Sequence, residues 1–243
     1  MKQSGFIYCL VLSITLFGCN DKCLNSLGDQ TSEFRNLDGF DKINIGKKIN
    51  LFISIDSVYS VRIDAGENII QNIVTDVDDE GWLTITDQNT CDWIRTYDHE
   101  INMYVALPEL VHLFASNTGN IIGLDTIRTK VFRFDQQIAS GVNELTIVSD
   151  TAFIKLHTGT GDMTCFGETK KLYIYSSSYG YVDCKEFFTP EAWVTARNSG
   201  DVQVYSSDSL EAFIHSEGNI HLYGGADKIY LNRTGIGELF KED

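Results

Sequence analysis

At 243 residues, with 43% hydrophobic and 12% aromatic side chains and only two prolines, the chain has the composition of one elongated or two compact folded domains, not of a disordered segment. Its 34 acidic against 19 basic side chains leave a formal charge of −15, which argues against nucleic acid or an anionic bilayer as partner, since both would repel it. Six cysteines form no obvious paired framework, and the histidines at 99, 112, 157, 215 and 221 lack ligand spacing, so neither a disulfide scaffold nor a metal site is expected.

In chain order, Lys2 precedes an apolar run from Phe6 to Phe17, too short to span a bilayer and suited to a signal-peptide core. The run ends in Leu16-Phe17-Gly18-Cys19, which resembles a bacterial lipobox, although Phe17 is bulkier than the usual residue at that position. Residues 1–18 are therefore expected to be a lipoprotein signal peptide. Cys19 is the expected lipidation site, holding the chain to the cell envelope, at the outer membrane, by acyl chains. The polar stretch that follows reads as a flexible tether over residues 19–38. Cys23 and Cys91 are the best-placed pair for a bridge in an oxidising compartment.

Residues 39–110 show irregular alternating runs such as Leu51, Ile53 and Ile55, with one or two helical turns expected from Glu67 to Ile73 and a loop from Asp87 to Glu100. Residues 111–243 are regular. Glycines recur at 119, 141, 161, 180, 200, 218 and 237, at intervals of 22, 20, 19, 20, 18 and 19. Apolar residues stand two and four places after several of them, as in Met163 and Cys165, Val182 and Cys184, Val202 and Val204, Ile220 and Leu222. That alternation is strand-like, and a period near 20 residues marks stacked repeats. One coil cannot bury its own inward side chains, so the expected fold is all-β: a parallel β-solenoid whose strands pair about 4.8 Å apart. Residues 39–110 would cap it. Glycine is expected at Gly119, Gly141, Gly161, Gly180, Gly200, Gly218 and Gly237 because it tolerates positive φ and permits close approach of coils. An antiparallel sandwich or barrel is the competing reading.

Outward positions carry Phe153, Tyr173, Trp193, Phe213 and Tyr230, spaced by 20, 20, 20 and 17, which could stack into one aromatic column able to bind a ligand or simply to support the stack. Tyr175, His157 and His215 border it. Cys165 and Cys184 share a phase and are expected as buried free thiols on adjacent coils. Asp162 and Asp201 follow their glycines, where such residues commonly bond the backbone. No phosphate loop, nucleophile elbow or converging carboxylate cluster is visible.

Phe40-Asp41-Lys42-Ile43, Val58-Tyr59-Ser60-Val61-Arg62-Ile63, Gly81-Trp82-Leu83-Thr84-Ile85 and Val105-Ala106-Leu107-Pro108-Glu109-Leu110, followed by serine- and glycine-bearing turns, resemble the putative auto-transporter adhesin, head GIN domain family. The resemblance implies a right-handed parallel β-helix on Bacteroidetes-type lipoproteins, and it brings no catalytic residues, metal or cofactor. The leading expectation is a non-enzymatic adhesin or binding module for surface glycan or an envelope protein. A polysaccharide-acting enzyme, or an envelope component that assembles into homo-oligomers through its aromatic face, are the alternatives. A Cys19→Ser change is expected to abolish incorporation of labelled palmitate in growing cells and to release the protein from the membrane fraction; unchanged labelling would place the lipid elsewhere.

Overall fold

Inward residues of the strands are mostly apolar and outward ones mostly polar or aromatic, and the structure stacks these strands into coils. The computed structural model describes residues 27–90 and 100–242. The expected signal peptide, Cys19, the Cys23–Cys91 pair and most of the Asp87–Glu100 loop lie outside them.

The strands run β1 Gln30–Arg35, β2 Lys42–Lys47, β3 Asn50–Ile55, β4 Ser60–Gly66, β5 Ile73–Val77, β6 Trp82–Asp87, β7 Asn102–Leu107, β8 His112–Asn117, β9 Ile121–Gln136, β10 Val142–Leu156, β11 Asp162–Ser176, β12 Val182–Phe188, β13 Glu191–Ala196, β14 Val202–Tyr205, β15 Ser209–Ile214, β16 Ile220–Tyr223, β17 Lys228–Arg233 and β18 Leu239–Lys241. From β9 onward each coil pairs in parallel with the next, and the molecule is a parallel β-solenoid. One face runs through β3, the start of β9, β10 and β11, then β12, β14, β16 and β18. The other runs through β2, β8, the end of β9, β10 and β11, then β13, β15 and β17. Met163, Val182, Val202 and Ile220 meet in register in one interior line, as the repeat requires.

The leading block is woven into the stack in an order that the chain does not follow. The coil β2–β3 lies between β6–β7 and β8–β9, so residues 39–110 supply rungs as well as an end. At that end β4 pairs antiparallel with β7 and β5 antiparallel with β6, which stops the parallel ladder. The expected helical turns are a single 3-10 turn, Ile70–Asn72, and Ile69, Ile70 and Ile73 around it are buried. The tether is shorter than expected, because Gln30–Arg35 forms β1 and pairs antiparallel with β4 from Gln30↔Gly66 to Arg35↔Val61. It reads as linker because β1 is an edge strand that buries no complete face. One continuous core runs from Phe40 to Ala226. No helix among the described residues is long and apolar enough to cross a membrane.

The seven corner glycines are needed for one of the two expected reasons only. None has positive φ; that conformation occurs instead at Gly28, Gly81, Gly159, Gly167, Gly224 and Gly225. A Cβ on Gly141, Gly180, Gly200, Gly218 or Gly237 would collide with the carbonyl oxygen of the preceding corner glycine, and one on Gly119 with the carbonyl of Ile49. Gly161 is confined by Gly141 O and the Gln136 amide, each 2.8 Å from the same point. The corners thus pack backbone on backbone. Beside them, Asp162 Oδ1 accepts the Tyr181 amide at 2.8 Å, Asp201 Oδ1 the Asn219 amide at 2.8 Å, and Asn219 Oδ1 the Glu238 amide at 2.9 Å. These side chains supply acceptors to the next rung where the ladder turns.

Gly200→Ala is expected to cost about 1–3 kcal/mol through overpacking. Gly46→Ala, whose Cβ would find only Ser116 Oγ at 3.6 Å, should stay within about 0.5 kcal/mol of wild type. Urea unfolding of both variants checks this, and equal stabilities would refute the corner packing.

Candidate binding face

On the second face the register sets outward side chains in columns. The first reads Trp82, Lys42, His112, Arg133, Phe153, Tyr173, Trp193, Glu211 and Tyr230. Phe153, Tyr173 and Trp193 are stacked, with centroids 4.9 and 4.6 Å apart and planes within 13° and 11°. These separations match the rung spacing, so each ring fills the gap to the next. The Arg133 guanidinium caps the stack 4.7 Å from the Phe153 centroid. Further along, the Trp82 and His112 rings lie 4.8 Å apart, with Lys42 Nζ 5.9 Å from the indole.

Phe213 is not in this column. Its place is taken by Glu211, and Phe213 stands beside Thr195 in the neighbouring column, its ring tilted against Tyr230 at 5.8 Å. The cause is the bend between the faces. It takes nine residues from Val182 to Glu191 but seven from Val202 to Ser209, so the outward pattern slides by two positions. Tyr230 is 54% exposed on the last coil, outside the stack.

The neighbouring column contains an ionic cluster. Asp135 accepts from His112 Nε2 at 2.8 Å and lies 3.3 Å from His157 Nε2 and 3.8 Å from Lys155 Nζ. The hydrogen bond to His112 first, and then His157 and Lys155, hold its carboxyl below the ordinary value against the opposing effect of burial. The His157 ring also touches Tyr175 at 5.4 Å. His215 lies apart, its Nδ1 2.7 Å from Thr234 Oγ1. Arg133 and the Asp135 hub are functional candidates that escaped the sequence reading. Stepping back one 20-residue period from Phe153 and from Lys155 gives both.

Where the face begins, a groove of about 620 Å³ is lined by Lys42, Glu109, Val111, His112, Thr129, Lys130, Val131 and Arg133. Cys165 and Cys184 are buried free thiols, and the hydrogen bond to Cys165, with burial adding to it, pushes the Cys184 thiol well up, which disfavours a nucleophilic thiolate there. Among the described residues no group of three potential ligands could hold a metal ion.

A family model for the putative auto-transporter adhesin, head GIN domain, matches residues 39–226. The chain belongs to this family. Solved structures with the same fold include a putative adhesin from Bacteroides fragilis, at 15% identity and a TM-score of 0.82 over 88% of this chain and 97% of that one. A putative adhesin from Parabacteroides distasonis is similar at 17% identity and a TM-score of 0.65, over 88% and 98%. A putative lipid binding protein from the same species matches at 16% identity and a TM-score of 0.63, over 89% and 98%. Among curated proteins none matches. At these identities the neighbours share the solenoid with this head GIN domain, and its outward columns have to be read from its own residues.

Tyr173→Leu, which breaks two ring stacks in the head GIN domain, is expected to cost about 1–3 kcal/mol on urea unfolding; an unchanged midpoint would show that the stack contributes nothing. Asp135→Asn tests the hub through pH. A carboxyl whose pKa is lowered on folding contributes stability above its unfolded value and loses it as pH falls through the folded one. Wild type should therefore exceed the variant at pH 7, the gap closing only as pH drops below the ordinary carboxylate range. A gap that persists there would exclude the ionic cause.

Proposed function

We propose that this head GIN domain is a lipid-anchored, non-catalytic binding module of the cell envelope, which captures a glycan or protein partner on the face bearing the aromatic column. Family membership supports the adhesin class, and the lipobox-like Leu16-Phe17-Gly18-Cys19 supports the anchor. The observation that carries the reading is the column itself, in which Arg133, Phe153, Tyr173 and Trp193 form a continuous half-exposed strip across successive coils. A face of this kind presents regularly spaced contacts and suits an extended partner.

Catalysis is less well supported. Asp162 and Asp201, the carboxylates that the sequence offers, are held by backbone amides of the next rung, a structural use. A lipid ligand, suggested by the description of one Parabacteroides distasonis relative, has less support than a glycan or protein, since the inward side chains of this chain pack as one continuous core and the groove beside the column carries charged side chains at Lys42, Glu109, Lys130 and Arg133.

Protease treatment of intact cells is expected to digest the protein, and Tyr173→Ala with Trp193→Ala to weaken partner capture at least tenfold in folded protein. A chain that stays protected until cells are lysed would rule out an adhesin.

A further inference from the structure

The proposed binding face is electrostatically lopsided. The chain as a whole is acidic at −15, yet the groove at the head of the aromatic column brings together Lys42, Lys130 and Arg133 against one carboxylate, Glu109. Glu109 is occupied by the Thr129 hydroxyl at 2.7 Å, and Lys42 by the Glu80 carbonyl at 2.6 Å and by Asp41. Lys130 and Arg133 form no ion pair among the described residues, and Arg133 is steadied over the Phe153 ring. A guanidinium placed over a ring face still has N–H groups at its rim to donate to a planar anion.

The column beyond points the same way. Stacking turns the ring faces of Phe153, Tyr173 and Trp193 toward one another, which removes the surfaces a neutral sugar would lie on. The ring edges, the positive part of an aromatic quadrupole, are left outward and favour acceptor oxygens. A densely charged polyanion would be repelled by the rest of the molecule, whereas a chain with widely spaced acid groups would not.

We propose that the groove formed by Lys42, Lys130 and Arg133 takes a carboxylate or sulfate group of an acidic polysaccharide, whose neighbouring sugars lie along the ring edges of Phe153, Tyr173 and Trp193. This deepens the binding-face reading and rests on it.

The test uses the full chain in neutral detergent micelles on a panel of hyaluronan and kappa-carrageenan, whose carboxylate or sulfate groups stand only on alternate sugars, each beside a derivative with its acid groups removed or esterified. The acidic forms should be held at least tenfold more tightly than the neutral ones and released by salt. Lys130→Gln and Arg133→Gln should each reduce binding severalfold, and together at least tenfold. Lys130 is exposed and outside the ring stack, so its variant reports on binding even where Arg133→Gln disturbs folding. Equal retention of acidic and neutral forms, or wild-type binding by the variants, would overturn the acid-group assignment while leaving the binding face. Capture on phosphatidylglycerol vesicles in place of the glycans, lost in the same variants, would overturn the polysaccharide. If no glycan is held while Tyr173→Ala with Trp193→Ala still abolishes attachment of cells, the inference fails and the face survives; if attachment is unaffected as well, both fail.

Discussion

Each coil turns where a glycine lies with its backbone against the carbonyl of the corner before it, and the solenoid depends on that contact. At Gly141, Gly180, Gly200, Gly218 and Gly237 the collision met by an added Cβ is with a backbone oxygen. A flexible side chain could swing aside; a carbonyl fixed in the preceding coil cannot. The contact sets how closely the coils lie at the turn, and so lets the parallel ladder continue on both faces without a break in spacing. Asp162, Asp201 and Asn219 act beside it, giving acceptors to amides that the turning backbone would leave unpaired.

The same spacing governs the outward face. Rings on consecutive coils are held one strand apart, close to their stacking distance, so Phe153, Tyr173 and Trp193 stabilise the ladder while displaying their edges. Support and display are two aspects of one arrangement, and the competing sequence interpretations of the column, ligand site or structural stack, need not exclude each other. The polar groups gather elsewhere, around Asp135 and in the groove with Lys130 and Arg133.

Much of this was legible in the residues. Alternation and a period near 20 residues identified the stacked coils, and the shared phase of Met163, Val182, Val202 and Ile220 gave the interior line. The role of glycine was half legible: close approach holds, whereas positive φ belongs to other glycines, because spacing reports where a side chain is missing and not which torsion requires it. Phe213 was misplaced because a fixed interval was carried through a shortened bend. The order of the leading coils was hidden for a deeper reason. In β2–β3, lodged between β6–β7 and β8–β9, pairing is not sequential, and the corner beneath Gly119 is Ile49, so no repeating glycine marks it. The Asp135 hub joins residues from three coils, which only the register brings together.

The shortened bend before β15 shows how such a protein can vary. The bend there is two residues shorter than the one before it, and the buried lines still match, Ala192 with Leu210 and Val194 with Ala212, while Glu211 falls into a row of rings. Trimming or lengthening a bend by an even number therefore reshuffles what the exterior presents while the interior keeps its pattern. Lineages could diversify their recognition surface by small deletions in the connectors, without redesigning the scaffold that carries it.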